Sequence, residues 1–518
     1  MPKQPTRTVD PARLADFPAL SRARGLWQQG RLDDAIDAFE SALAERPENV
    51  KAMIESARAF GARHLVSRAE VLLDRALADT ADDARVAPLV AQSYGRVFRH
   101  HRAIELLSGM PDLPPPIRGE LAVLYEQVGR YEDALGEIER VVAEAPGADE
   151  PALVRGRILR RLGRHEAALI ALESLARRSG HPVAVAEAWT EVCYILDSIG
   201  QYARALEAIE RAHAVVKSWP RTAGLLERAR ANNAALTRLS KEVDADVLSR
   251  WRACPQDGCT GPMAHLIGFP RSGTTLLEQA LDAHNSIVAS PERVVFSRDV
   301  FPAMCRAGGG PLTVRTIGAV PDGVLRRLRI EYRLAMEETL GEAIAERVHI
   351  DKNPNHTSLL PGLVRLLPGS RFIVALRDPR DVVASCVLRS FRLTEFSAML
   401  LSWQTACELY AVEMGAWLRY REMLPDDAYI EVRYEDTVVD LQGQAHGVLG
   451  LLGLPWDDSV LAYREKTREK LVNSPTQAEV RRPIYRSSVG RWRHYAAQLE
   501  PNMHVLMPFV RAFGYDNK

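Results

Sequence analysis

The 518 residues are too many for a single hydrophobic core, so two or three domains are expected. Lys plus Arg and Asp plus Glu both total 67, and the formal net charge of zero gives no bulk electrostatic argument for nucleic acid or an anionic membrane, so any basic site must be local. The amino terminus, MPKQPTRTVDPARLADF, has no apolar core of signal-peptide length, and Glu408 and Glu413 interrupt the apolar stretch at 399–417, so a soluble cytoplasmic protein is expected.

Before residue 217 the chain repeats itself. Small residues recur at Ala35, Ala69, Ala103, Ala134, Ala168 and Ala205, at intervals of 34, 34, 31, 34 and 37. One helical turn after each stands a larger apolar residue: Phe39, Leu73, Leu107, Ile138, Leu172 and Ile209. Gly30, Gly129, Gly163 and Gly200 precede four of the alanines by five residues, where one helix ends and the next begins; His64 and Phe98 occupy that place in the second and third units. Pro47 and Pro146 close their units. A period near 34 with this small–large pairing resembles the tetratricopeptide repeat (TPR). The resemblance implies about six stacked helical pairs over residues 1–216, forming a superhelix whose concave face takes an acceptor or a partner protein. A homodimer through the repeats is the alternative.

Ser218-Trp219-Pro220 breaks the pattern, and 217–262 reads as a helical linker ending in the loop CPQDGCTGP. Of six cysteines only Cys254 and Cys259 are close, and their spacing lacks a second ligand pair for zinc, so no metal is expected. From Met263 the pattern changes to short apolar strands, MAHLIGF, RVHI, RFIVAL and AYIEVRY, with helices at 274–284 and 380–390. Such alternation predicts a parallel α/β sheet that holds its ligand at the carboxyl ends of the strands.

The first strand runs into LIGFPRSGTTLL. Small residues at Ser272 and Gly273 let backbone N–H groups close around an anion at the positive end of the following helix, and Thr274 and Thr275 add hydroxyl donors. The spacing is not that of a Walker A loop. Further on, RFIVALRDPRDVVAS ends a strand at Arg377 and enters a helix that carries Ser385. Arginine offers a planar, permanently charged fork suited to phosphate oxygens.

Pro-Arg-Ser-Gly-Thr-Thr resembles the 5′-phosphosulfate loop of sulfotransferases that use 3′-phosphoadenylyl sulfate (PAPS), and Arg377 with Ser385 resembles their 3′-phosphate segment. The resemblance is closest to the tyrosylprotein sulfotransferases, covers about 264–495, and implies an α/β P-loop-like domain over 263–518. It implies that Arg271, Ser272, Gly273, Thr274 and Thr275 hold the 5′ side and that Arg377 and Ser385 hold the 3′-phosphate. The family's general base stands 21 residues after the loop arginine, which falls here on Glu292 in SPERVVF, although Ser290-Pro291 departs from the family's Gly-Glu. Lys352 in HIDKNPNH matches the lysine that stabilises the leaving oxygen; Arg389 and Tyr434 match cofactor contacts. In the basic segment 463–493, with nine Lys or Arg against three Glu, the family's catalytic serine falls on Thr476, with Ser474 nearby, its proline on Pro483, and its lysine on Arg491. Cytosolic small-molecule sulfotransferases use a histidine as base, which makes His284 and His356 rivals of Glu292.

The resulting expectation is a TPR-bearing enzyme that moves a sulfuryl group from PAPS, as co-substrate and without metal, to an acceptor hydroxyl, including that of a peptide tyrosine. A nucleotide-dependent kinase and a TPR adaptor with an inactive transferase domain are the competing expectations. All cofactor segments follow Met263, so a chain cut near Ala223 is expected to keep cofactor binding.

Overall fold

The computed structural model describes residues 9–516 apart from 64, 81, 82, 84, 98, 111, 257–260, 390, 391 and 466–485. Its contacts separate two compact units, Met1–Leu175 with Glu337–Glu342, and Ala176–Met336 with Ala343–Lys518. Among the described residues, no helix is long and apolar enough to cross a membrane.

Among the described residues, twelve α-helices precede Pro220. In the first unit these are α1 (Pro18–Gln28), α2 (Leu32–Glu45), α3 (Val50–Ala62), α4 (Val66–Ala78), α5 (Ala87–Arg96), α6 (His100–Ser108), α7 (Pro115–Gln127), α8 (Tyr131–Glu144), α9 (Asp149–Arg161) and most of α10 (His165–Arg178). Every alanine of the repeat lies on an even-numbered helix and is 0% exposed, and its apolar partner one turn later is buried too. Burying such a large side chain contributes about 1.5–3 kcal/mol, so the period marks the residues that stitch the pairs together. Gly30, Gly129, Gly163 and Gly200 all have φ between +74° and +82°, a left-handed turn that a residue with a Cβ resists. His64 and Phe98 lie outside the described residues. A polar row crosses the odd-numbered helices: Arg24 pairs with Glu55 at 3.0 Å, Arg58 donates to Gln92 at 2.8 Å, and Gln92 donates to Glu120 at 3.1 Å.

The last helical pair, α11 (Pro182–Ser198) and α12 (Tyr202–Lys217), continues the repeat pattern but belongs to the second compact unit. The packing thus divides the chain earlier than the end of the repeats at 216. The linker contains the long helix Pro220–Glu242 and the helix Ala245–Arg252, capped by Asp244, whose carboxylate accepts from the Val247 amide at 2.7 Å.

Five parallel strands form the sheet in the order β2-β3-β1-β4-β5: β1 (Met263–Gly268), β2 (Ile287–Pro291), β3 (Val348–Lys352), β4 (Arg371–Leu376) and β5 (Tyr429–Arg433). Four match the expected strands. The sequence reading passed over β2, whose apolar stretch is short and ends in Ser290-Pro291. It is an edge strand, where proline's missing N–H is tolerated. The core between sheet and helices joins Leu266, Leu277, Leu281, Ala289, Ile350, Ile373 and Val432. The helices after β1 and β4, Thr274–Asp282 and Pro379–Val387, fall where the pattern placed them.

Candidate active site

Each of the five strands delivers a candidate residue at or just past its carboxyl end. β1 leads through Phe269 and Pro270 into the loop, where Arg271 has φ +73° and Gly273, capping the helix Thr274–Asp282, has φ +89°. A Cβ on Gly273 would come within 2.5 Å of the Tyr434 ring, so glycine lets the residue after β5 close over the loop. Ser272, Thr274 and Thr275 are buried in this turn. Nine helical residues follow, enough for the amides of the first turn to present a positive end to an anion.

At β4, Arg377 donates to the carbonyl of Arg271 at 3.0 Å and to that of Ser488, and its guanidinium carbon lies 4.9 Å from the centre of the Tyr434 ring. Arg271 Nε donates to Ser385 Oγ at 3.1 Å. The two phosphate segments inferred separately from sequence are therefore tied to one another. Arg377 Nε is buried and without a hydrogen-bond partner among the described residues, a donor left for a ligand. Around it, Asp381 accepts from the amides of Gly490 and Trp492, both at 2.7 Å, and burial pushes its carboxyl up against the pull of Arg377.

On the other side of β1, β2 and β3 end in register, Pro291 opposite Lys352. The Glu292 amide donates to the Lys352 carbonyl at 2.7 Å, and Glu292 adopts φ +40°, rare for a residue with a side chain. Of the three non-glycine residues with positive φ among those described, two are Arg271 and Glu292. Strain of this kind costs about 1–3 kcal/mol and persists where the surroundings over-determine it. Here it brings Glu292 Oε1 to 2.8 Å from Lys352 Nζ. Lys352 is 0% exposed, whereas the Glu292 side chain is 37% exposed. Burial alone would discharge the lysine, but Glu278 and Glu292 outweigh it and hold the Lys352 pKa above its ordinary value.

Neither rival histidine has a comparable setting. His284 uses both ring nitrogens locally, with Nε2 at 3.0 Å from the Pro455 carbonyl and Nδ1 accepting from the Ser286 amide. His356 is fully buried, packed against Phe296, and burial pushes its pKa down to about 3.

The remaining candidates lean on α11. Arg389 lies 4.8 Å above the Tyr194 ring, and Arg491 is paired with Asp197, which also accepts from the Tyr495 hydroxyl at 2.7 Å. Thr476, Ser474 and Pro483 lie outside the described residues, as does Cys259, while Cys254 is a free thiol. Among the described residues no cluster of His, Cys, Asp and Glu is arranged to hold a metal ion.

Sequence reasoning missed three supporting side chains. Glu278, 2% exposed, stands 3.1 Å from Lys352 Nζ, and burial raises its pKa against the opposing lysine. Thr357 Oγ1 bonds both the amide and the carbonyl of Gly268, pinning the end of β1. Glu435 accepts from the Asp378 amide at 3.1 Å and the Tyr515 hydroxyl at 2.7 Å, bracing the β4 loop. Glu278 alone left a signal, a charge within the apolar stretch TTLLEQAL.

Comparison with known proteins follows the same division. The profile described as "Sulfotransferase family" matches residues 262–458, and two profiles described as "Tetratricopeptide repeat" match 26–93 and 120–182. The chain carries tetratricopeptide repeats and a sulfotransferase domain. It is similar to protein-tyrosine sulfotransferase 2 of Gallus gallus, 27% identical over 272 residues, covering 49% of this chain and 70% of that protein. It is also similar to protein-tyrosine sulfotransferase A of Caenorhabditis elegans, 23% identical over 267 residues, covering 50% and 68%. Among solved structures it is similar to a sulfotransferase domain from a Synechococcus olefin synthase, 19% identical with a TM-score of 0.35, covering 49% of this chain and 97% of that one.

Proposed function

We propose that the second unit transfers a sulfuryl group from PAPS to an acceptor hydroxyl, with a peptide tyrosine as the first acceptor to test. The observation that carries this is the Glu292–Lys352 pair at 2.8 Å, set at the strand ends beside a phosphate-type loop. Glu292 is open enough for an acceptor to reach, and Lys352 is a desolvated cation suited to charge that develops during reaction.

The acceptor oxygen attacks sulfur while the bond between sulfur and the bridging oxygen breaks. Glu292 takes the acceptor proton, and the electron pair of the broken bond stays on the bridging oxygen of adenosine 3′,5′-bisphosphate, where Lys352 donates to it. Thr476 is the proposed second donor. Positioned proton transfer contributes about 100- to 10,000-fold in rate, and a preorganised donor about 100- to 1,000-fold. The loop from Arg271 to Thr275 holds the 5′ side and Tyr434 closes over it. Arg377 and Ser385 hold the 3′-phosphate, a role supported by the unpartnered Arg377 Nε. Arg389 and Arg491 support that side while leaning on α11.

The repeats of the first unit select the acceptor or a partner protein, and the polar row from Arg24 to Glu120 is the surface offered for it. Incubating the full chain with radiolabelled PAPS and a tyrosine-containing peptide tests the reaction. Label in the peptide supports it; label transferred from ATP instead would establish a kinase, and neither transfer with intact bisphosphate binding would establish an inactive transferase.

A further inference from the structure

Glu278 has no role in the steps above, yet it is among the most deeply buried charges of the second unit. It lies one turn after Thr274, on the helix that opens at the phosphate loop, and its carboxylate stands 3.1 Å from Lys352 Nζ at the end of β3, buried where Glu292 is part-exposed. An ionisable carboxyl is kept in so dry a place only with a partner, and that partner is Lys352.

Two carboxylates and one ammonium make a cluster with one net negative charge. During reaction Glu292 becomes neutral as it takes the acceptor proton, and its hold on Lys352 weakens at the moment the lysine must serve the leaving oxygen. Without a second counter-ion, a fully buried ammonium would then stand unpaired. We propose that Glu278 is a positioning residue, the fixed counter-ion that keeps Lys352 charged and oriented while Glu292 changes protonation state. The proposal rests on Glu292 as base and Lys352 as donor to the leaving oxygen.

The groups within electrostatic reach of Glu278 are Lys352 and Asp351 on β3, Glu292 and Arg293 after β2, and Asp282 on its own helix. Glu278 competes with Glu292 for Lys352. A neutral glutamine at 278 leaves Glu292 as the sole close counter-ion of Lys352 and ties the lysine to the base. Turnover should fall because the lysine is less available to the leaving oxygen.

The test uses the full chain with radiolabelled PAPS and a tyrosine-containing peptide, for the parent, Glu278→Gln, Lys352→Met, their double variant and Glu292→Gln. Glu278→Gln should lower kcat about tenfold or more with bisphosphate affinity within about twofold of the parent. In the Lys352→Met background the same change should cost nothing further, because Glu278 acts through the lysine. Parental kcat in folded Glu278→Gln overturns the proposal, as do losses that multiply in the double variant. If the single variant does not fold, Lys352→Met against the charge-neutral double variant decides: equal turnover supports the proposal and added loss refutes it. Crippled Glu292→Gln and Lys352→Met beside a parental Glu278→Gln defeat this proposal alone, whereas parental turnover in all of them defeats the underlying mechanism.

Discussion

Removing the Arg377 guanidinium should erase much of the discrimination between two nucleotides that differ by one phosphate. The side chain sits at the end of β4 over the Tyr434 ring, with Nε unpartnered among the described residues and its two terminal nitrogens donating to the carbonyls of Arg271 and Ser488. A hydrogen bond to a charged group contributes about 1.5–3 kcal/mol, which corresponds to about 10- to 150-fold in Kd. Arg377→Ala also frees both carbonyls and loosens the loop, a loss common to every nucleotide bound there. The ratio of affinities for adenosine 3′,5′-bisphosphate and adenosine 5′-monophosphate cancels that common part. Calorimetry should show the parent preferring the bisphosphate and Arg377→Ala losing about 10- to 150-fold of that preference. Arg377→Lys should recover only part of it, since an ammonium cannot serve the carbonyls and a phosphate with one rigid fork. Equal weakening of both nucleotides would show that Arg377 braces the loop and leaves the 3′-phosphate to another group.

Glu292→Gln preserves the shape and the hydrogen bond to Lys352 but cannot accept a proton, so turnover should fall about 100-fold or more with bisphosphate binding nearly intact; parental turnover would move the base elsewhere. A chain starting near residue 180 retains α11 and should bind the bisphosphate like the full chain, whereas one starting near 223 loses Tyr194 and Asp197, and with them the support of Arg389 and Arg491. Equal affinity in the two truncations, measured by calorimetry, would contradict this. Burial pushes the Asp351 carboxyl up to about 7 despite its bond from the Tyr332 hydroxyl at 2.6 Å. A raised folded pKa gives stability that is present below the unfolded value near 3.8 and lost as pH rises to about 7. The stability of the parent relative to Asp351→Asn should therefore fall across that window in urea denaturation. His349, pushed down to about 3 by burial, slopes the other way in both proteins and cancels in the difference.

The repeats were legible because each pair fixes a small and a large residue on one buried helix face, from Ala35 and Phe39 to Ala205 and Ile209, and a left-handed turn selects glycine in four of the units. That same pattern reports only how a helix packs on its partner. It carries no information about which compact unit a pair joins, so α11 and α12 read as two more repeat helices although Asp197 reaches a segment almost 300 positions away in sequence. β2 escaped for a different reason: an edge strand needs no long apolar run, and Pro291 counts against a strand until its edge position is known.

The candidate site was legible to the extent that its chemistry sits where parallel strands end. Arg271, Arg377 and Tyr434 follow β1, β4 and β5, and the sheet order β2-β3-β1-β4-β5 explains why these three meet on one side while Glu292 and Lys352 meet on the other. Spacing along the chain pointed to each of them, because a strand, a turn and a helix form one local signal. Glu278 lies on the helix that connects β1 to β2, and its significance arises only when β3 brings Lys352 beside it. A buried charge inside an apolar helical run is the trace such a contact leaves in sequence, and at Glu278 it marks the side of the site from which the lysine is held.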